Sequence, residues 1–202
     1  MFKRMSVLVR REGDTRAQFS QGWLRHGRFI ADLPGLRGYV QNHVEEEFAP
    51  PVAPLLRADG FVELRFDSPE AMALAFTSPA AHAMAADEPH FLGHGSGYAL
   101  AGDDGLREAQ DGNKLIVALG GGNPARVVDE IAALNPLALI RDDVTALIAK
   151  PYMAPPQPAQ SFLHLHYRDA GAADHAARKI IAITQAGTLK AAIFRVRTVR
   201  FV

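Results

Sequence analysis

The chain has 202 residues, 48% of them apolar, enough nonpolar surface for one large domain or two small ones. Lysine plus arginine and aspartate plus glutamate both number 22, so the formal net charge is zero and no basic field exists to hold a phosphate backbone, which excludes nucleic acid as an expected partner. Cysteine is absent, which excludes disulfides, thiolate catalysis, zinc–thiolate and iron–sulfur centres.

The N-terminal MFKRMSVLVRRE has too short an apolar run for a signal peptide, and no stretch reaches the ~18 apolar residues of a membrane span. A cytoplasmic protein without membrane contact is expected. Residues 5–9 (MSVLV) read as a strand. Thr15-Arg16-Ala17-Gln18 fits a capping box, and Phe19, Trp23, His26, Ile30 and Leu33 then recur at helical spacing until Pro34-Gly35. Residues 36–44 (LRGYVQNHV) alternate as a second strand, and Glu45-Glu46-Glu47 with the prolines at 50, 51 and 54 reads as a solvated loop. Residues 61–66 (FVELRF) form a third strand. Ser68-Pro69 opens an Ala/Met-rich helix that Ser78-Pro79 breaks or restarts. His90 and His94 then fall in a Gly-rich loop before a fourth strand at 97–100.

Residues 102–112 are polar and read as a linker, after which the order begins again. Residues 115–119 (LIVAL) are a strand, and Gly120-Gly121-Gly122 a turn. Asn123 caps a helix whose apolar face is Val127, Val128, Ile131 and Leu134. Residues 137–148 are extended, with Asp142-Asp143 in the middle, and 151–158 are Pro-rich. Residues 162–167 (FLHLHY) are a strand and 172–186 a helix, with Gly187 at its C′ position. Residues 189–202 form a long final strand.

Both halves therefore read β-α-β-β-α-β, and a shift of 101 residues places Leu33 on Leu134, Leu36 on Leu137, Phe61 on Phe162 and Leu64 on Leu165. That order is the ferredoxin-like split βαβ unit, a four-stranded antiparallel sheet with both helices on one face. Its bare apolar face must be covered. The expected fold is α+β: two fused units, residues 1–102 and 113–202, with their antiparallel sheets facing each other. Two independent domains on a flexible linker are the alternative.

Residues 19–26 (FSQGWLRH), Leu33-Pro34-Gly35-Leu36 and the string Tyr39-Val40-Gln41-Asn42-His43 resemble the EthD family of the dimeric α/β-barrel group. So do the stretch from Asp59-Gly60-Phe61 to Asp67-Ser68-Pro69, and Asp87-Glu88-Pro89 before Phe91. The resemblance covers residues 1–102, and the second half shares only the element order. His26-Gly27-Arg28 stands where the family carries a His-Ala-Pro-like string one residue further on. The resemblance implies a small-molecule pocket between sheet and helices and an oxidoreductase-type activity on organic compounds.

His26 shares a helix stripe with Phe19 and Trp23, and an imidazole there suits a general base. Tyr39, Gln41 and His43 share one face of the second strand, and Val40 and Asn42 the other. The expected site takes His26, His43 and Tyr39 as catalytic residues, with Trp23, Asn42 and Phe19 contacting substrate. Trp23, His26, Tyr39 and His43 are expected in one cavity, with one such pocket per chain. His164 and His166 alternate on one strand face, where two imidazoles could ligate a metal with Asp142 or Asp143, or merely line the seam. No metal and no cofactor are expected. The expected activity is a cofactor-independent oxidoreductase or monooxygenase, or a cyclase or decarboxylase, acting on a small organic molecule by histidine proton transfer. The alternatives are a non-catalytic binding or accessory protein, or a haem-binding member of the fold group. The expected assembly is a monomer with an internal pseudo-dimer, or a homodimer of these.

Overall fold

Among the described residues the alternation of the sequence is realised in eight strands. The computed structural model describes residues 1–48, 55–102, 113–122, 124–150, 153–186 and 189–202. In the first half, β1 (Phe2–Arg10) leads through α1 (Arg16–Ala31) to β2 (Leu36–Phe48) and β3 (Gly60–Phe66). Then come α2 (Pro69–Ala75), α3 (Pro79–Asp87), a single 3-10 turn (Glu88–His90) and β4 (Leu92–Gly102). The second half runs β5 (Asn113–Gly120), α4 (Pro124–Ala132), β6 (Ala138–Ala149), β7 (Ser161–Tyr167), α5 (Ala170–Ala186) and β8 (Lys190–Arg200).

The strands form one closed antiparallel barrel in the order β1-β3-β2-β8-β5-β7-β6-β4. It consists of two sheets, β4-β1-β3-β2 and β8-β5-β7-β6. They face each other across the interior and are also hydrogen-bonded at both seams, β2 to β8 and β4 to β6. Closure leaves no unpaired sheet edge among the described strands. Strand alternation divides the side chains between two environments. Met5, Val7, Phe61, Tyr98, Phe162 and Phe194 fill one end of the barrel interior. The other end is polar, with Lys3, Glu63, Lys114, Asp142, His164 and His166 all buried. On the outside, α1 to α3 cover the first sheet and α4 and α5 the second, each over an apolar layer.

Two expectations are corrected. Glu45-Glu46-Glu47 is not a loop but the end of β2, because Glu46 stands opposite Arg195 of β8 and the two side chains pair at 2.7 Å. His94 is not in a loop either. β4 starts at Leu92, and its glycines let neighbouring strands approach: a Cβ on Gly97 would lie 2.8 Å from the Ile148 carbonyl oxygen of β6. The break expected at Ser78-Pro79 is present: Ser78 caps a separate helix, α3, by accepting from the Ala81 amide. Gly102, the first residue of the expected linker at 102–112, ends β4, and the rest of the linker, the prolines at 50, 51, 54 and 151, Asn123 and Gly187 lie outside the described residues. Among the described residues no helix is long and apolar enough to cross a membrane.

Candidate active site

The site is built on α1. Its N-terminus is fixed by the expected capping box: the Gln18 amide donates to Thr15 Oγ1, and the Thr15 amide donates to Gln18 Oε1. This phase turns Phe19, Trp23, His26, Gly27 and Ile30 onto the sheet. α3 lies beside α1, and Phe91 closes the layer at the start of β4. Between these helices and β1, β3 and the end of β6 is a cavity of about 300 Å³. Most of its wall is apolar, with Leu8, Trp23, Val62, Met84 and Phe91 among the lining residues. Its polar wall groups are Arg4, Ser6, His26, His82, Glu88 and Lys150.

His26 is 2% exposed, and its ring packs on Phe91 with centroids 4.8 Å apart. Nδ1 lies 2.8 Å from Asp87 Oδ2. Burial lowers the imidazole pKa below its ordinary value, and the bond to Asp87 works against that without reversing it. The neutral ring therefore donates Nδ1–H to Asp87 and keeps a basic Nε2. Nearby, Lys150 is paired with Glu88.

Tyr39 and His43 do face α1, but they stand behind Trp23 and outside the cavity. The Trp23 and His43 rings are 4.4 Å apart, so the indole separates them from the space that His26 borders. The expectation of one cavity holding all four residues is corrected on this point. The group behind Trp23 is closed upon itself. Gln41 Nε2 donates to the Trp23 carbonyl at 2.9 Å and to the Tyr39 hydroxyl, and His43 Nε2 donates to Gln41 Oε1 at 2.9 Å. Ser20 donates to His43 Nδ1 at 2.8 Å. Burial, then the nearby Arg197, lowers the His43 pKa to about 3, and burial raises that of Tyr39.

Phe19 is fully buried behind the wall, packed on Trp23 and Phe91. Asn42 points the opposite way, into the barrel, because it alternates with its neighbours. There it donates to Glu63 Oε1 at 2.9 Å and accepts from Lys114 at 3.0 Å and Thr198 at 2.9 Å. His164 and His166 share that interior end. His164 Nε2 is 3.0 Å from Asp142 Oδ2, and Glu63 is held well below the usual carboxylate range: burial works to raise it, but Lys114, His164 and Lys3 prevail. Asp143 faces outward to Arg141. Among the described residues no three imidazole or carboxylate groups are placed to hold a metal. His164 joins the charge network, whereas neither ring nitrogen of His166 has a hydrogen-bond partner among the described residues. His90 is exposed on the 3-10 turn.

Sequence reading missed Arg4, Asp87, Glu88 and Lys150 as site residues. One signal was available: Arg4 alternates with Ser6 and Leu8 on the helix-facing side of β1.

No curated protein matches the chain. Solved structures resemble it over nearly the whole length at very low identity. An anthrone oxidase-like protein is 9% identical with a TM-score of 0.59, covering 98% of this chain and 92% of its own. A protein of Fusobacterium nucleatum subsp. nucleatum, provisionally named a monooxygenase, is 10% identical with a TM-score of 0.58, covering 99% and 96%. A provisionally named chlorite dismutase gives 10% and 0.52, covering 98% and 95%. These likenesses establish the fold, a dimeric α/β barrel made within one chain. The EthD domain model matches residues 11–95, which include α1, β2, β3, α3 and the cavity's Trp23, His26 and Phe91. The match lies within the first half of the chain, and the second half lies outside it.

Proposed function

We propose that the cavity beneath α1 is an active site in which His26 takes a proton from a small, mostly apolar aromatic or carbonyl compound, without a cofactor, opening an oxidoreductase-type reaction. The observation that carries this reading is the His26–Asp87 pair. A carboxylate fixes Nδ1–H, which leaves Nε2 as the base in an apolar cavity wall. The substrate C–H bond gives its proton to Nε2, and its electron pair remains as an enolate. The imidazolium is stabilised by Asp87. Dioxygen from solvent is the oxidant that then accepts electrons from the enolate. The names of the fold relatives, oxidase-like and monooxygenase, support this class of chemistry. A cavity of about 300 Å³ suits two or three fused rings.

The fold relative's name supplies a probe, anthrone, whose methylene protons are acidic. The test is the rate at which that position takes up deuterium from heavy water, followed by NMR. The wild-type chain should accelerate exchange, and His26→Ala should lower the accelerated rate about 100-fold or more with the fold retained. Exchange no faster than in buffer, or a His26→Ala variant as fast as the wild type, contradicts the reading.

A further inference from the structure

We propose that this cavity selects flat molecules bearing one acidic oxygen, a carboxylate or a phenolate, and that Arg4 binds that oxygen. The inference rests on the cavity being the substrate site. Arg4 is 7% exposed and lines the cavity from β1. Among the described residues no carboxylate lies within ion-pair distance of it, and its Nε makes no hydrogen bond. The buried and half-buried lysines differ. Lys3 is held by Glu63 and Asp142, Lys114 by Glu63, and Lys150 by Glu88. A guanidinium stays charged at neutral pH, and a buried charge without a counterion is costly. An anion in the cavity supplies the missing partner.

The surroundings define how it would bind. The guanidinium lies over the Phe76 ring, 4.9 Å from its centroid, so its face is covered and its in-plane N–H edge remains for an oxygen. Gly97 leaves room beside it: a Cβ there would be 3.3 Å from Nη2. The other titratable groups on the cavity do not pair with it at contact distance. Glu88 supports the Arg4 charge from further away but is paired with Lys150, His26 is neutral, and His82 is exposed. The Trp23 indole N–H, also buried and without an acceptor among the described residues, belongs to a second residue that lines the cavity, from α1. Trp23, Phe76, Phe91 and Leu8 make the remaining surface flat and apolar, the complement of an aromatic ring system.

The test is calorimetric titration of the full chain with 1-naphthoate and with its neutral amide, 1-naphthamide. Charge-assisted hydrogen bonds make the acid the tighter ligand by about 10- to 100-fold. Arg4→Met should abolish that preference and leave amide binding within about twofold. Equal affinity of acid and amide for the wild-type chain overturns the proposal, and this comparison needs no variant to fold. A preference that survives in Arg4→Met also overturns it. His26→Ala should keep the preference, so failure of the proton-transfer reading and failure of this one give different results.

Discussion

His26 is governed by two opposed effects. Burial disfavours the imidazolium, and the Asp87 carboxylate favours it. Burial prevails, so the base form persists to more acidic pH than in an ordinary histidine. The sign follows directly. The group reacts when unprotonated, its pKa is lowered from 6.5, and the rate therefore falls only as pH drops through a value below 6.5. In a pH profile of anthrone exchange the acidic limb should lie below 6.5. A limb above 6.5 would mean that Asp87 outweighs burial. The stripe that turns His26 and Trp23 inward was legible, because a 3.6-residue period is local. Asp87 as its partner was not, since it is 61 residues away and on another helix. Asn42 was assigned to substrate although strand alternation already set it apart from Tyr39 and His43, and its side chain is spent on Glu63, Lys114 and Thr198.

α1 and β2 show how an element acquires its exact seat. The capping box fixes where α1 begins, but its closeness to the sheet depends on residues that carry no side chain. Gly60, at the start of β3, faces the Trp23 ring, and a Cβ there would come within 2.3 Å of Cζ3. The indole is rigid and fully buried, so the strand and helix must part or the ring must leave its rotamer. Gly60→Ala should cost about 1–3 kcal/mol in urea denaturation and should weaken naphthamide binding, because Trp23 is a cavity wall. Unchanged stability and binding would show that this contact is not confining. Element types were legible along most of the chain, whereas several ends were not. β2 runs on through three glutamates because of Arg195 on β8, about 150 residues later, and no local pattern carries that information.

At the scale of the whole molecule, the same fold that hides the sheets also separates two polar sites. Facing sheets were expected from the element order and the need to cover bare faces. Their joining at both seams into one barrel depends on the β2–β8 and β4–β6 ladders, which only the assembled structure reveals. The charged end of the barrel interior, around Glu63 and Lys114, was legible only in fragments, as alternating residues on separate strands. The cavity beneath α1 lies on the other side of the first sheet, and the corresponding layer of the second half is packed with Ile131, Leu165, Ala177 and Ile180. This asymmetry supports one working site per chain. The most direct measurement is a crystal structure with anthrone bound. The account predicts the rings between Trp23 and Phe91, the acidic carbon ~3–3.5 Å from His26 Nε2 and the carbonyl oxygen toward Arg4. Anthrone held elsewhere, with the cavity beside His26 unfilled, would contradict it.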